Sequence, residues 1–545
     1  MKFITNSFGG LNNKHSTQKV FILAICTLIM LPFMALIYKA IFGFEADPTV
    51  WDHALKNVVP SVIYNTFMLA VLTLLFSLTL GLIAAWLCSF TNFKYKKLLH
   101  FLSIVPLIFP LYVLAFIYVG LFEYSSGFME FFRESLDINL HSYFKIKSIL
   151  GSSLIFSFGL FPYVYLMLKQ SFDNQGPQLF QVSRSLGLSK IQTFFKISIP
   201  MARPWILAAT TIILMETLAD FGAVSVFNVD TFTTAIYQSW TGMYSLSTAT
   251  KLSTFLIVVA IFILLIEVKY TEKQKYTSKK SNKSNNIFIL SKSQQLIASV
   301  WLLITALLTF IIPITQLLLW VRNLITIEQI EKNIPYLLNS IKIALTTAII
   351  TTIVALLVCA GAKLINSKFW TRVNKASTLG YAIPGSIIAV AVFSLFTQIK
   401  SILGPSIDQN TFLYIILIVG LMTRFLSLAF KSIESALKKI SNNTDKAARS
   451  MGARPIEILH KIYIPIIKGG ISSAFIMIFI EVMKEMPMTL MLRPFGHDTL
   501  SVKVYEFTSE GEWEKASIAG LMIVLTGMIS VALLIFSSRQ KRERI

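Results

Sequence analysis

The sequence predicts an all-α membrane protein with about twelve transmembrane helices, arranged as two parallel six-helix repeats. Of its 545 residues, 55% are hydrophobic and only 14% are charged, whereas a soluble domain has about 25% charged residues. Twelve apolar stretches approach the ~20 residues that a helix needs to cross a bilayer. The second six stretches repeat motifs of the first six. These features exclude a soluble globular enzyme, a disordered chain and a fibrous protein.

The candidate spans run along nearly the whole chain. They lie at residues 21–43, 62–88, 98–122, 149–170, 204–227, 252–268, 297–320, 338–362, 376–397, 411–430, 469–492 and 517–537. The first span is too long for a cleavable signal peptide, and no small-residue cleavage site follows it. The predicted organisation is an N-terminal segment with the first span (1–60), a first membrane domain (61–268), a linker (269–296), the seventh span with an outer loop (297–336), a second membrane domain (337–537) and a tail (538–545).

The basic residues indicate the orientation of the chain. The net charge is +22 at pH 7, and Lys and Arg concentrate in every second loop, as the positive-inside rule requires of cytoplasmic loops. The segment 269–295 carries seven Lys against Glu272, whereas 123–137 and 498–514 are mixed or acidic. We therefore expect cytoplasmic termini, a flexible cytoplasmic linker, and the bilayer rather than nucleic acid as the partner. The linker also has the composition to touch anionic lipid.

The cysteines indicate neither a metal site nor a disulfide framework. Cys26, Cys88 and Cys359 lie in or beside apolar stretches, without the spacing of metal ligands or of a disulfide framework. We expect them to pack as small apolar residues, and we expect no stably bound metal.

The two halves repeat each other. Matches at an offset of 274 residues are Asn65-Thr66 with Asn339-Ser340 and Pro110 with Pro384. Residues 180–203 match 445–468 at an offset of 265, with eight of 24 positions identical. Both halves have six spans and hence the same orientation, so they form a parallel repeat around an axis along the membrane normal. Such a repeat surrounds a central path, which favours a transporter over a membrane enzyme.

The best-matched stretch lies in a cytoplasmic loop between the fourth and fifth spans of each half. It begins with a polar helical segment and turns at Gly187 or Gly452, where glycine permits the left-handed backbone of a helix end. An apolar helical segment follows, and we expect Pro200 and Pro465 to end it before the chain re-enters the membrane. A short exposed helix of this kind suits insertion into a groove on a partner.

This pattern resembles the EAA loop of the inner-membrane permeases of ABC importers, in which E-A-A-x-x-x-G is followed by I-x-L-P. The second copy is the closer match, because Asp445 lies near the acidic position and two alanines follow it. In the first copy, Gln181-Val182-Ser183 replace the acid and both alanines. The residues that the resemblance assigns to ATPase coupling are Arg184, Ser185, Gly187, Pro200, Asp445, Ala447, Ala448, Arg449, Ser450, Gly452 and Pro465.

The resemblance implies the fold of a type I ABC importer permease in the bacterial inner membrane, with two fused permease domains. It implies that the loops dock two copies of an ATPase subunit and that a solute-binding protein docks outside. The chain has no GxxxxGK[ST] phosphate-binding loop of its own. We therefore expect no catalytic residue and no cofactor in this chain, with ATP and Mg bound by the ATPase partner.

Two predicted spans carry a pair of acids: Glu216 and Asp220 lie in the fifth span, and Glu481 and Glu485 in the eleventh. Each pair is spaced i,i+4, which places both carboxylates on one face of a helix. Intramembrane acids are costly and usually functional, so one interpretation is that they line the path. Hard oxygen ligands would then favour a cation, Fe³⁺ in particular. The alternative is a structural role, for example an ion pair between Glu481 and Lys484.

The segments around these acids are similar to the ferric-iron permeases within the family. The similar segments are residues 215–222, 231–237, 484–490 and 492–500. The outer loops also match each other, at an offset of 268. For these matched positions the resemblance implies docking of a two-lobed binding protein, by Asp230, Thr231, Tyr237, Asp498, Thr499 and Tyr505. Capping of the spans at the membrane interface is the alternative for the two tyrosines.

The sequence thus predicts the permease of a ferric-iron ABC importer. Permeases for thiamine, aminoethylphosphonate, sulfate or polyamines share the fold and remain alternatives. A secondary transporter also uses parallel six-helix repeats, but it would not need two long, matched cytoplasmic loops. A membrane enzyme that uses the four acids ranks lower, because no His or Ser constellation accompanies them.

Overall fold

The computed structural model describes residues 16–42, 48–138, 144–271, 287–365, 380, 383–403 and 408–543. The helices are α1 (Ser16–Phe42), α2 (Thr49–Phe90), α3 (Lys96–Ile108), α4 (Leu111–Leu121), α5 (Gly127–Ser135), α6 (Ile149–Asn174), α7 (Pro177–Ser185), α8 (Lys190–Ala219), α9 (Gly222–Val226), α10 (Phe232–Thr241), α11 (Leu246–Thr271), α12 (Lys292–Leu324), α13 (Ile327–Ile365), α14 (Gly385–Leu403), α15 (Gln409–Leu437), α16 (Asn442–Ser450), α17 (Pro455–Lys484), α18 (Pro487–Leu492), α19 (Leu500–Ser509) and α20 (Trp513–Glu543). Within these ranges the β contacts amount to one isolated bridge, between Thr91 and Phe288. The all-α class is confirmed.

The predicted spans coincide with helices. Eight helices in the described ranges are long and apolar enough to cross a membrane, and the bent pair α3–α4 makes a ninth. The apolar segments Met30–Phe42 of α1 and Gly385–Lys400 of α14 are shorter, and α20 covers the predicted last span. The first residues of the predicted ninth span, 376–379, lie outside the described part of the chain. The prediction of about twelve membrane helices is confirmed.

The third span is not the single straight helix that the sequence predicted. Its two helices meet at an angle of 92°. Phe109 is extended, with φ −84° and ψ 124°, and Pro110 follows it as the N-cap of α4. A residue before proline is pushed out of the helical region, and proline itself has no N–H to donate. The chain therefore turns at Phe109-Pro110 and starts a new helix.

The prediction that Pro200 and Pro465 end a helix is wrong. Both lie inside long helices, α8 and α17, and each follows a π-helical segment. The same arrangement recurs in α2 and α12. The segments and their prolines are Ala54–Val58 before Pro60, Phe194–Ser198 before Pro200, Leu307–Ile311 before Pro313 and Ile458–Tyr463 before Pro465. The wider π turn shifts the hydrogen-bond register, so the missing proline N–H and its ring are accommodated without ending the helix.

One compact unit comprises the described parts of Met1–Ala46 and Pro335–Thr499. The most extensive contact between helices in this unit is that of α15 with α17, and α1 packs against α14. There Lys39 Nζ donates to the carbonyl oxygen of Ser394 at 3.1 Å. Residues 387–392 of α14 are fully buried on all sides, as expected of a helix at the centre of a bundle.

The other unit comprises the described parts of Asp47–Ile334 and Leu500–Ile545. Helices α2 and α6 form its most extensive contact. A Cβ on Gly81 of α2 would lie 2.5 Å from the Cβ of Val164 on α6, so this close approach requires glycine. Helix α4 is buried along its length, and α20 packs against α12. The domain boundaries predicted from the sequence are not tested by this packing and stay a prediction.

The linker is only partly as predicted. Residues 272–286 lie outside the described part of the chain. Residues 287–290 are hydrogen-bonded to the segment that follows α2, and α12 begins at Lys292. The expectation of a flexible linker is therefore wrong for residues 287–296, because these residues have packed partners.

Candidate functional site

The two matched loops, loop 1 (residues 175–200) and loop 2 (440–465), contain the same turn. Gly187 has a φ of +82° and Gly452 a φ of +83°. Four hydrogen bonds of 3.0 Å run from the amides of Gly187 to Arg184, Leu188 to Ser183, Gly452 to Arg449 and Ala453 to Ala448. This is the Schellman pattern, in which a left-handed residue after the helix lets two amides satisfy its last carbonyls. The predicted left-handed turn is confirmed in both loops.

Large apolar side chains flank each turn on the solvent side. Leu186 is 74% exposed and its repeat equivalent Met451 is 81% exposed. Ile191 and its equivalent Ile456 are 65% and 77% exposed. Residues of these types are normally buried, and a rimmed apolar patch is typical of an interaction site. The two loops therefore present matched apolar surfaces.

Loop 2 is held by a polar anchor. Asp445 is only 8% exposed, and it accepts a hydrogen bond of 2.8 Å from the hydroxyl of Tyr463. Lys363 Nζ lies 3.8 Å from the other carboxylate oxygen. The same ammonium donates to the carbonyls of Leu437 and Ile440, at 3.0 and 2.7 Å. Asp445 thus fastens α16 to the ends of α13 and α15 and is not presented to a partner.

Loop 1 is held by an aromatic anchor. Phe180 takes the position of Asp445 and is equally buried. Its ring lies 5.3 Å from that of Phe90 and 6.0 Å from that of Phe288, both edge-on. Phe172 and Phe194 complete the cluster. Edge-to-face rings at these distances attract each other, so the loop is fixed without a charge pair.

The other predicted coupling residues lie on the two short helices. Arg184 and Arg449 are exposed, and Arg449 Nη2 also donates to the carbonyl of Leu364 at 2.5 Å. The hydroxyls of Ser185 and Ser450 donate to carbonyls of their own helix. Of the paired alanines, Ala447 is exposed and Ala448 is buried.

The intramembrane acids do not form the face that the sequence predicted. Helix α8 ends at Ala219 and α17 at Lys484, so Asp220 and Glu485 follow the helices with extended ψ values of 134° and 126°. Each carboxylate instead accepts amide hydrogen bonds from the next short helix. Asp220 accepts from Ala223 at 2.8 Å and Val224 at 3.3 Å. These acids hold a break in the span, in the manner of helix N-caps.

In the second half the break also contains an ion pair. Glu485 Oε2 accepts from Thr489, and Oε1 accepts from Met488 at 2.9 Å and from Arg424 Nη1 at 3.0 Å. A Cβ on Gly385 would lie 2.2 Å from the same guanidinium nitrogen, so glycine makes room for the pair. Arg424 is a charged residue within a predicted span, 411–430, and its pairing with Glu485 was not predicted.

Glu216 and Glu481 remain on their helices. They are repeat equivalents at the offset of 265, and both are half-buried. Glu481 lies one turn before Lys484, and the two charges interact. Of the four predicted pathway acids, these two keep the helical placement on which that prediction depended.

The predicted docking residues divide into a buried group and a group that is partly or fully exposed. Thr231 and Thr499 are buried, so their side chains are not available to a docking partner. Asp230 and Asp498 are fixed by matched asparagines. Asn65 Nδ2 donates to the carbonyl of Asp230 at 3.0 Å, and Asn339 Nδ2 donates to that of Asp498 at 3.1 Å. The repeated asparagines therefore hold equivalent points of the two outer loops.

Tyr237 and Tyr505 contact each other. They are equivalent at the offset of 268, and their ring centroids lie 6.3 Å apart. Phe221 lies 4.9 Å from Tyr237 and 5.5 Å from Tyr505. Burial raises the pKa of Tyr505 above its ordinary value, and hydrogen-bonded Tyr237 raises it further. Equivalent residues of a two-fold repeat touch only near its axis, so this pair lies near the axis that relates α10 to α19.

The second outer loop has an insertion that the first lacks. The repeat offset rises from 265 to 268 between the broken spans and helices α10 and α19. The added residues form a tight loop with a φ of +78° at Gly496. An ion pair of 2.7 Å between Arg493 Nε and Asp498 closes it. Phe495 at its tip is 92% exposed, so a rigid loop presents one large apolar side chain.

Comparison with known proteins matches the chain to importer permeases. It is 26% identical over 475 residues to the Fe(3+)-transport system permease protein FbpB 2 of Haemophilus influenzae, covering 86% of this chain and 88% of that protein. The ferric transport system permease protein FbpB of Actinobacillus pleuropneumoniae is 20% identical over 549 residues, covering 94% and 77%. The sulfate transport system permease protein CysT of Salmonella typhimurium is 25% identical over 203 residues, covering 37% and 70%.

A family model matches the chain twice. The model for the inner membrane component of binding-protein-dependent transport systems matches residues 77–270 and 376–542. These two matches cover more than half of the sequence and contain one matched loop each. Members are permease subunits of ABC transporters that work with a binding protein and an ATPase, and they are not themselves catalytic. The chain belongs to this family of multi-pass inner-membrane permeases.

Proposed function

We propose that this chain is the permease of a ferric-iron ABC importer and that it forms the whole membrane pathway by itself. The support is the similarity to permeases named for ferric transport, which extends over most of both chains. The sulfate permease matches only about a third of this chain. Sulfate is therefore the second candidate solute.

One observation carries the proposal for coupling: a single chain holds two loops with the same turn and the same exposed apolar residues. A turn fixed by glycine and two hydrogen bonds gives each loop a defined shape. Leu186 and Ile191 in loop 1, and Met451 and Ile456 in loop 2, would enter a groove on the ATPase. Because each loop binds one subunit, we propose two ATPase subunits per chain, with ATP and Mg bound to them.

This arrangement requires both loops, both termini and the linker to be cytoplasmic, as the distribution of basic residues predicts. Closure of the two ATPases on ATP would bring the loops together and shift the permease from inward-facing to outward-facing. The shift is a change in population between two states, driven by ligand binding on another subunit.

For the pathway, we propose two acids and not four. Asp220 and Glu485 are occupied in holding the span breaks, whereas Glu216 and Glu481 are half-buried on helices. We propose that these two attract the cation, since hard oxygen ligands suit Fe³⁺. Tyr237 and Tyr505, near the repeat axis, would lie beside the path and not in the docking surface.

For docking of the solute-binding protein, Phe495 is the stronger candidate. The predicted residues Thr231 and Thr499 are buried, but Phe495 projects from a loop closed by an ion pair. A rigid exposed aromatic residue is typical of a binding hot spot.

The test is reconstitution of the chain with an ATPase and a binding protein in liposomes. We expect ATP-dependent accumulation of ferric iron but not of sulfate. Glu216→Gln with Glu481→Gln should lower uptake per assembled complex strongly, whereas the matched control Glu510→Gln, an exposed acid, should not. Transport of sulfate and not iron would overturn the proposed substrate. Unchanged uptake in the double variant would remove the acids from the pathway.

A further inference from the structure

The end of the linker, residues 287–290, is part of the packed structure beside loop 1. The amides of Ile287 and Phe288 donate to the carbonyl of Phe90 at 2.9 and 3.0 Å. The amide of Asn92 donates back to the carbonyl of Phe288 at 3.2 Å. The amide of Leu290 donates to the side-chain oxygen of Asn92 at 2.8 Å. These bonds fix the linker end against the segment that follows α2.

The linker end also contacts loop 1 itself. Lys190 Nζ, at the start of α8, donates to the carbonyl of Ile287 at 2.7 Å. The ring of Phe288 packs edge-on against Phe180 of loop 1. Phe288 further lines an apolar groove of about 290 Å³ with Ile191 and Phe195 of loop 1. Ile191 is one of the exposed residues proposed to bind the ATPase, so the linker end reaches the docking surface.

Among the residues that the structure describes, the anchor of loop 2 is made by its own half. Asp445, the equivalent of Phe180, is held by Lys363 and Tyr463, which belong to the helices of its own half. In loop 1 the residue equivalent to Tyr463 is Ser198, whose hydroxyl is hydrogen-bonded to Gln175. Loop 1 therefore has an aromatic anchor where loop 2 has a polar one. Part of this aromatic anchor is Phe288, which lies outside the repeat.

We propose that Phe288 is a positioning residue for ATPase coupling at loop 1, so that the linker controls one of the two docking loops and not the other. The inference rests on the proposed docking of ATPase subunits at both loops. Its consequence is asymmetry: a change in the linker end loosens loop 1 while loop 2 keeps its own anchor. The two ATPase sites of one permease then respond differently to the linker.

The first test uses the permease alone and needs no partner. In Phe288→Ala, amide hydrogen exchange should become several-fold faster at residues 183–190 and stay unchanged at 448–455. The matched control is Ile289→Ala, because Ile289 adjoins Phe288 but is 77% exposed. The conservative variant Phe288→Tyr keeps the aromatic ring, so amide exchange at residues 183–190 should stay as slow as in the unmutated chain. Equal changes in both loops, or none in either, would overturn the inference.

The second test measures docking at each loop separately. A photo-crosslinking amino acid replaces Leu186 or Met451, and the yield of adduct with the ATPase subunit is compared between backgrounds. Phe288→Ala should lower the adduct at position 186 several-fold and leave that at 451 unchanged. A parallel fall at both positions would contradict the positioning role. Absence of adduct at both positions in the unmutated chain would instead contradict ATPase docking, and the exchange experiment would still decide the linker inference.

Discussion

The two halves of the repeat use the same backbone devices but stabilise them differently. Both loops turn at a glycine with φ near +82°. The fifth and the eleventh spans, which are equivalent in the repeat, each break at an acid that caps a short helix. In the second half each device is joined to a cation, Lys363 for Asp445 and Arg424 for Glu485. In the first half, aromatic packing holds the loop. The two halves thus have the same backbone geometry, while different side chains stabilise it.

The largest expected difference between the halves is at the span breaks. Glu485→Gln strands the Arg424 guanidinium, only 15% exposed, and removing one partner of a buried pair costs about 3–5 kcal/mol. Asp220→Asn keeps a side-chain oxygen that can accept the same amide hydrogen bonds, and Asn and Asp are about equally good caps, so its cost should be small. We expect a large loss of membrane abundance and melting temperature for Glu485→Gln and a small loss for Asp220→Asn.

The control for this prediction is the double variant Glu485→Gln with Arg424→Met, which removes both charges. It should recover most of the abundance that the single variant loses, because no unpaired charge remains. Similar losses in Glu485→Gln and Asp220→Asn would show that the ion pair contributes nothing beyond the cap.

The turns should respond equally in the two halves. A residue other than glycine in a left-handed backbone conformation costs about 1–2 kcal/mol of stability. A Cβ at either glycine would meet open space, so no steric clash adds to this cost. Gly187→Val and Gly452→Val should each weaken ATPase binding by roughly tenfold, measured by pull-down from membranes. Asn tolerates the left-handed region, so Gly187→Asn and Gly452→Asn are the matched controls and should bind nearly normally. A defect in one loop alone would mean that the turns are not equivalent.

The outer loops should differ in function rather than in stability. Phe495→Ala removes an exposed side chain and should change the free energy of unfolding by less than about 0.5 kcal/mol. Loss of an aromatic anchor should weaken binding of the solute-binding protein by about tenfold or more. Tyr124→Ala is a suitable control, because Tyr124 is an exposed aromatic residue of another predicted outer loop. Equal effects on binding in the two variants would remove Phe495 as an anchor.

Much of this architecture was predictable because it depends on local patterns. Apolar stretches predicted the helices, and the repeated glycines predicted the left-handed turns. The breaks were not predicted, because an i,i+4 spacing of acids indicates one helix face only if the helix continues, and here the helices end at Ala219 and Lys484. Arg424 was visible as a charge in a span, but its pairing with Glu485 depends on tertiary packing.

The replacement of one anchor by another was harder to predict. In the sequence, Gln181-Val182-Ser183 in place of the acid and both alanines showed only a departure from the motif, and nothing singled out Phe180. Only the packed structure shows that Phe90 and Phe288 lie against the Phe180 ring. Phe288 lies in a polar, Lys-rich segment whose composition predicts flexibility. Composition alone therefore could not predict its packing against Phe180.

Native mass spectrometry of the purified complex tests most directly whether one chain carries two working docking loops. We predict one permease chain with two ATPase subunits, falling to one subunit in Gly452→Val and to none in the Gly187→Val, Gly452→Val double variant. A complex containing two permease chains, or one in which Gly452→Val removes both subunits while Gly187→Val removes neither, would contradict it.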